Sequence, residues 1–206
     1  MNLRIGVDFD NTIACYHSLI HREALRRGLI ARDVARTKTA VRDSIRQAPD
    51  GEDRWRKLQA HVYGPCMAHA RLAPGARRFF ETCRRRSIPV HVVSHKKARY
   101  PHDPTGMDFH SAAMAWMRRR EFFKPSGFGL AEAAIHFEAT LADKLRRIAS
   151  LRLTHFIDDL EETLTESCFP KKPEKILYAP HGPSRPLRGV LVLRGWDEIT
   201  GHIFHA

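Results

Sequence analysis

Two aspartates stand two residues apart directly after the first apolar run of the chain. Residues 4–7 read Arg-Ile-Gly-Val, and Asp8 and Asp10 come next. Residues i and i+2 of a strand point to the same side, so both carboxylates should project into the crevice at the carboxyl end of this strand. Carboxylates held so close repel unless a cation lies between them or one stays protonated. The pair favours a ligand site; a strand end with acidic turn residues is the alternative.

Three later segments carry polar groups at comparable places. A predicted strand at residues 88–93 ends on Ser94, and Lys144 opens a helical stretch. A second apolar run, residues 153–157, is closed by Asp158 and Asp159. Along the chain the order is therefore acids, hydroxyl, lysine, acids, each at the end of a strand or the start of a helix.

This order resembles the haloacid dehalogenase-like superfamily of phosphatases and phosphotransferases. The resemblance extends from Arg4 to about Tyr178. Residues 8–12 read Asp-Phe-Asp-Asn-Thr and match the Asp-x-Asp-x-Thr signature of the superfamily without a departure. The acidic pair at 158–159, which follows an apolar strand, matches its closing motif.

The resemblance implies a division of labour between the first two acids. Asp8 would be the nucleophile that forms an aspartyl-phosphate, which splits a difficult displacement into two steps. Asp10 would protonate the leaving oxygen and then take a proton from the hydrolytic water. Mg²⁺ is the expected ion, with carboxylates of Asp8 and Asp158 and the backbone carbonyl of Asp10 as ligands. Asp159 would lie further from the ion or reach it through water.

The resemblance also assigns phosphate binding to Ser94 and Lys144. Ser94 would donate its hydroxyl to the phosphoryl oxygens, and Lys144 would neutralise their developing charge. An isolated serine at such a junction is more often a helix N-cap than a phosphate ligand, and Lys144 could be one of the many solvated cations of this chain. Lys96 and Lys97 compete for the role of Lys144. Residues just after Ser94, beginning with His95, lie where substrate contacts are expected, but no pattern selects among them.

Strands alternate with helices along the chain, which predicts an α/β fold with a doubly wound, mostly parallel sheet, a Rossmann-like core. Residues 16–71 instead read as three helices without a strand. They occupy the place where the superfamily carries a cap over its active site. We therefore predict a catalytic core at 1–15 and 72–206 and a small helical cap insert at 16–71; simple extra packing on the core is the alternative.

Length and composition fit an enzyme of this size. The chain has 206 residues, 43% of them hydrophobic, which is enough for one domain with a smaller insert. No apolar stretch approaches the roughly 20 residues that span a bilayer, and no signal segment is evident. The four cysteines form no Cys-x-x-Cys pair. A cytoplasmic protein that does not engage membranes is the simplest prediction.

The net charge of +12 has two interpretations. A basic protein can bind nucleic acid by releasing counterions from phosphates. The arginine runs at 84–86 and 118–120, however, lack the interleaved aromatics that stack on bases. We favour arginines spread over solvated helix faces, whose field would draw a small phosphorylated substrate towards the site.

The leading hypothesis is a Mg²⁺-dependent phosphatase for a small phosphomonoester such as a sugar phosphate or nucleotide. A 5′-nucleotidase, a phosphatase for nucleic-acid ends and a catalytically idle phosphate-binding or regulatory protein are the alternatives. A dehalogenase is disfavoured because it would not need Asp10. His17 and His21 have the i, i+4 spacing of a zinc pair, but without a third ligand they are expected to line the cap or face solvent.

Overall fold

A six-stranded sheet forms the centre of the computed structural model, which describes residues 2–183 and 186–205. The strands of the described residues, in chain order, are β1 (Ile5–Val7), β2 (Ala14–Cys15), β3 (Arg71–Leu72), β4 (Val90–His95), β5 (Ile135–Glu138), β6 (His155–Asp158), β7 (Glu174–Tyr178) and β8 (Leu191–Leu193). Strands β2 and β3 pair separately as a two-stranded sheet. The six-stranded sheet has the order β5-β4-β1-β6-β7-β8, and its neighbours pair in parallel. The predicted doubly wound, mostly parallel α/β fold is confirmed.

Eight α-helices accompany the strands in the described residues. They are α1 (His17–Arg26), α2 (Lys38–Arg46), α3 (Gly51–Tyr63), α4 (Ala76–Arg85), α5 (Phe109–Arg119), α6 (Leu141–Ser150), α7 (Glu161–Thr165) and α8 (Trp196–His205). None of these helices has the length and apolar character that crossing a membrane requires.

Strand β1 is the most enclosed part of the sheet because it lies between β4 and β6. Val7 is in register with Val92 on one side and Ile157 on the other. All three residues of β1 are buried, as expected of a central parallel strand. A Cβ at Gly6 would lie only 2.3 Å from Leu153 Cδ1, so this position has no room for a side chain. The strand that carries the first acidic motif is thereby fixed on both sides.

Two helices of the insert begin at residues other than the predicted ones. Residues 34–37 read as helical by periodicity, yet α2 begins at Lys38 because the Thr37 hydroxyl accepts a hydrogen bond from Ala40 N at 3.1 Å. The sequence predicts a turn at residues 49–51 and a third helix over residues 55–67, whereas helix α3 begins at Gly51 and ends at Tyr63 before Gly64. A short 3₁₀ turn follows it, which periodicity alone joins to the helix.

The chain divides into two compact units. The first, which we call the sheet unit, contains residues 1–14, 72–96 and 117–206. The second, which we call the helical unit, contains residues 15–71 and 97–116. Residues 97–116, which the sequence predicts to be part of the core, group with residues 15–71 in the structure.

Both segments of the helical unit contribute to its packing. Trp116 Nε1 donates to Ala70 O at 2.9 Å, and a Cβ at Gly64 would lie 2.6 Å from Phe109 Cε1. Apolar side chains of its first segment, Leu58 among them, are fully buried. The unit is thus a small helical bundle that depends on residues far apart in sequence.

Candidate active site

The first acidic motif and the closing acidic pair meet at the carboxyl ends of neighbouring strands. Asp8 directly follows β1, and Asp158 is the last residue of β6. The Asp8 amide donates to Ile157 O at 2.8 Å, which continues the parallel ladder up to the acids. The register of the two strands therefore places the two carboxylates side by side, and both are buried.

Lys144 joins these two carboxylates. Its Nζ lies 2.7 Å from Asp8 Oδ1 and 2.6 Å from Asp158 Oδ2, and its side chain is only 1% exposed. The lysine stands in the first half of α6, whose N-cap Thr140 accepts from the Asp143 amide at 3.1 Å. A buried lysine between two buried carboxylates is not a solvated surface cation, so that alternative is wrong for Lys144.

Burial sets the electrostatics of this group. It raises the pKa of Asp8 to about 7; the Lys144 ammonium opposes this shift, and the charges of Asp158 and Asp10 add to it. Burial alone would lower the pKa of Lys144, but the Asp158 and Asp8 carboxylates outweigh it and raise that pKa. The ammonium therefore stays charged, while Asp8 needs further positive charge to remain fully ionised at neutral pH.

A tight turn follows Asp10 and fixes the rest of the first motif. The amides of Ile13 and Ala14 both donate to Phe9 O, at 3.0 and 2.9 Å. Asn11 adopts a left-handed backbone with φ 63°, a conformation that asparagine tolerates better than most residues. The Thr12 hydroxyl donates to Asp159 Oδ1 at 3.3 Å and thus ties this turn to the closing acidic pair.

Asp10 has a lysine of its own. Lys96 Nζ lies 3.0 Å from both carboxylate oxygens of Asp10. The Lys96 side chain is 1% exposed, whereas that of Asp10 is 18% exposed. The Lys96 amide also donates to Glu138 O, which anchors the residue at the end of β4. The two lysines between which the sequence could not choose therefore serve different acids.

Ser94 lies within β4 and is buried, so it does not cap a helix. It is in register with Phe137 of β5 and precedes Lys96 by two residues. Its strand is the direct neighbour of β1, which puts it at the same edge of the sheet as Asp8. His95 turns outwards and contacts Ala139 O at 3.1 Å through Nε2.

Three acids of this edge could hold a metal ion. Carboxylate oxygens of Asp8, Asp158 and Asp159 lie within 4.8 Å of one another. Such an all-oxygen set suits a hard divalent cation. Asp158 Oδ1 accepts from the Leu160 amide at 2.9 Å, which orients that carboxylate. The donor set and the raised pKa of Asp8 thus both fit a bound cation.

The structure brings together most of the residues that the sequence singled out, with one difference of detail. Asp159 joins Asp8 and Asp158 in the acidic group, although it was expected further from the ion. The carboxylate of Asp10 pairs with Lys96, and the metal ligand predicted at this residue is its backbone carbonyl. Sequence reasoning missed Trp196, whose Nε1 donates to Thr12 O at 3.1 Å. No sequence signal links the first motif to a tryptophan 184 residues later.

His17 and His21, whose spacing resembles that of a zinc pair, each contact a backbone atom of the helical unit. His17 Nδ1 accepts from the Lys38 amide at 3.2 Å, and His21 Nε2 contacts Val34 O at 2.9 Å. These contacts fasten the segment after α1 to the helix. The i, i+4 spacing therefore reflects the packing of the helical unit.

Comparison with known proteins adds to this geometry. No protein-family model and no curated protein matches the chain. Solved structures do. A haloacid dehalogenase (HAD) hydrolase of family IA, variant 3, from Entamoeba histolytica superposes with a TM-score of 0.55 at 13% identity, covering 95% of this chain and 94% of that one.

Two bacterial structures give the same result. A HAD-superfamily hydrolase from Ehrlichia chaffeensis has a TM-score of 0.54 at 12% identity, covering 98% of this chain and 96% of that one. A haloacid dehalogenase-like family hydrolase from Xanthomonas campestris has a TM-score of 0.53 at 10% identity, covering 98% and 94%. The chain therefore has a haloacid dehalogenase-like fold, as the resemblance of its motifs predicted.

Proposed function

We propose that this protein is a Mg²⁺-dependent phosphatase that hydrolyses a small phosphomonoester through an aspartyl-phosphate on Asp8. One observation carries the proposal: Asp8 and Asp158 share Lys144 at the carboxyl ends of adjacent strands, with Asp10 two residues further on. The fold and the motif agree with this observation.

Asp8 is the nucleophile in this proposal. It lies at the end of a strand fixed by two neighbours, so its carboxylate is held in place for in-line attack on phosphorus. The Lys144 ammonium beside it would attract the phosphoryl oxygens and stabilise the charge that develops on them. Ser94, from the neighbouring strand, would add a hydroxyl donor to the same oxygens.

Asp10 is the general acid and base. It is more exposed than Asp8, as a group that exchanges protons with a leaving group and with water must be. Lys96 holds both of its oxygens, so this lysine is a positioning residue for Asp10. The lysine would turn the carboxylate towards the leaving oxygen once substrate takes over part of its hydrogen bonding.

Asp8, Asp158 and the backbone carbonyl of Asp10 would hold Mg²⁺, and Asp159 is close enough to join them directly or through water. When bound, this ion would neutralise charge on the phosphoryl group and on Asp8. Nucleophilic attack, proton transfer and phosphate binding would be carried out by the side chains of Asp8, Asp10, Lys144 and Ser94. A cytoplasmic location and a small substrate remain part of the proposal, the latter because the inserted helices are predicted to act as a cap.

A panel of phosphomonoesters tests the proposal. Sugar phosphates, mononucleotides, a 5′-phosphorylated oligonucleotide and an aryl phosphate are assayed for phosphate release with Mg²⁺, with Ca²⁺ and with chelator. We expect release that requires Mg²⁺, is poorly supported by Ca²⁺ and favours small substrates, since Ca²⁺ accepts more ligands at longer distances. Undiminished turnover in chelator would exclude the metal assignment, and a preference for the oligonucleotide would favour nucleic-acid ends.

A further inference from the structure

A second group of metal-ligating side chains lies in the helical unit, separate from the acids of the sheet unit. Glu23 is in α1, His61 is near the end of α3, and Cys66 is in the turn after α3. Cys66 Sγ lies 3.0 Å from His61 Nε2, which lies 3.6 Å from Glu23 Oε2. The three donor atoms all fall within 4.8 Å of one another.

Local structure explains why these atoms converge. After α3 ends, the Cys66 amide donates to His61 O at 3.0 Å, which folds the turn back over the last turn of the helix. Helix α1 packs against α3 and brings Glu23 to the same place. The arrangement results from helix packing and one turn, and no short sequence motif predicts it.

The spacing suits a transition-metal ion. Zinc bonds to thiolate sulfur, imidazole nitrogen and carboxylate oxygen at about 2.0–2.3 Å, so tetrahedral ligands stand roughly 3.4–3.6 Å apart. The observed 3.6 Å between His61 Nε2 and Glu23 Oε2 already matches this separation. The contact between Cys66 and His61 is a hydrogen bond at 3.0 Å and would need to open only slightly.

The carboxylate of Glu23 is also oriented as a ligand should be. Arg26 donates to Glu23 Oε2 from Nε at 2.9 Å and from Nη2 at 2.8 Å, and Arg22 Nε lies 3.6 Å from Oε1. A carboxylate has about four lone-pair sites, so these contacts leave room for a metal bond. Ligating carboxylates are commonly hydrogen-bonded in this way. The arginines oppose a cation, but the loss of the thiol proton would compensate for part of their charge.

His61 connects this group to open space. It lines a cavity of about 380 Å³ in the same unit, together with Arg27, Lys57 and His102. Of the three proposed ligands, His61 is the one that lines this cavity. Three protein ligands with one open position are a common zinc arrangement.

We propose that Glu23, His61 and Cys66 form a binding site for a zinc-class transition-metal ion, which ties α1 to the end of α3. The site differs in chemistry from the acids at the sheet edge. It offers sulfur and nitrogen, which select zinc-class ions, whereas the acids offer oxygen only and suit Mg²⁺. It would operate whether or not the protein is a phosphatase.

Cobalt is the probe for this site because a Co²⁺–thiolate bond gives a charge-transfer absorption that carboxylates cannot produce. Untagged, metal-free protein is titrated with Co²⁺ in excess Mg²⁺. We expect the thiolate band to saturate at one equivalent and zinc to remove it. Cys66→Ser should abolish the band, whereas Cys168→Ser, which changes an exposed cysteine, should leave it intact. Glu23→Gln should weaken binding by about 10–100-fold or more, since a direct ligand matters at least as much as the outer-shell partners whose loss costs this amount.

A second measurement guards against variants that fail to fold. Wild-type protein is treated with a thiol reagent with and without Zn²⁺, and the modified cysteines are located by mass spectrometry. Zinc should protect Cys66 and leave Cys168 as reactive as before. The proposal fails if Cys66 reacts equally fast in both samples, or if the cobalt band is absent or survives Cys66→Ser. The Asp8→Asn protein should bind cobalt normally, which separates this proposal from the phosphatase proposal.

Discussion

Asp8 and Asp158 stand on neighbouring strands of a parallel sheet, whereas Glu23, His61 and Cys66 stand on two packed helices and a turn. In the sheet unit, backbone register sets the distance between the carboxylates, and Lys144 fills the gap between them. In the helical unit, side-chain packing sets the distances, and an arginine of the same helix orients the carboxylate. Parallel strand ends therefore bring like charges together at positions that a sequence pattern can reveal, whereas packed helices bring sulfur, nitrogen and oxygen atoms together without such a pattern.

The largest effect should come from removing the nucleophile of the sheet unit. Asp8→Asn should lower kcat by about 10⁴-fold or more, since groups that act as one catalytic unit fail together. Phosphate release from the best substrate of the panel measures it, with Asp33→Asn, on the exposed surface, as control. A variant that keeps a tenth of the wild-type activity would remove Asp8 from this role.

Breaking the charge balance of the same site should be the next largest effect. Lys144→Met leaves two buried carboxylates without their cation, and we expect it to lower the free energy of unfolding by about 3–5 kcal/mol. Denaturant unfolding without divalent ions measures this loss. Lys57→Met is the matched control, because its pair with Asp53 is largely exposed and should contribute about 1 kcal/mol or less. Equal losses of stability in the two variants would contradict the claim that the buried pairs of Lys144 contribute more than the exposed pair of Lys57.

Asp10 offers a test within the sheet unit itself. Asp10→Asn should slow hydrolysis of alkyl phosphates by about 10²-fold or more, because general acid–base help is typically worth 10²–10⁴-fold. An aryl phosphate has a better leaving group and should be slowed less. Rates for both substrates, measured side by side, decide the matter. Equal slowing would mean that Asp10 only positions other groups.

Lys96 should matter less to stability than Lys144. Asp10 keeps contact with solvent, so Lys96→Met should cost about 1–3 kcal/mol, roughly the desolvation penalty of the group left without its partner. Unfolding by denaturant, in parallel with Lys144→Met, gives the comparison. If the Lys96 variant is the less stable of the two, the burial of the acidic partner does not determine how much each ion pair contributes to the free energy of unfolding.

The smallest effect should be on pH dependence. His91 and His136 stack in neighbouring strands, and burial, followed by nearby arginines, lowers the pKa of each below 6.5. Protonation therefore favours the unfolded chain, so this contribution is complete above about pH 6.5 and is lost as the pH falls below it. Denaturant unfolding at pH 7.5 and 5.5 should show less of this loss in His136→Asn than in His69→Asn, an exposed control. Identical losses in both would contradict the assignment.

Much of the sheet unit was predictable because its candidate site lies where its apolar strands end. Apolar runs predicted the strands of the six-stranded sheet, although not the two-residue strands β2 and β3. Polar residues near the carboxyl ends of those runs predicted Asp8, Ser94 and Asp158 as site residues, since parallel strands end at one edge. What could not be predicted depends on three-dimensional packing. Lys96 and Lys144 looked alike in sequence and separated only when the structure paired each with its acid. The grouping of residues 97–116 with the helical unit could not be predicted for the same reason, because it depends on packing between segments far apart in sequence.

The two-segment composition of the helical unit also bears on how the chain can be divided or shortened. Residues 97–116 follow β4, while residues 15–71 follow the first motif, yet Trp116 and Phe109 of one segment pack against Ala70 and Gly64 of the other. Deleting either segment would expose the apolar surface that it covers on the other segment. A shortened chain that keeps only one of the two segments would therefore lack that segment's packing partner, so a truncation or a graft of this unit should treat both segments together.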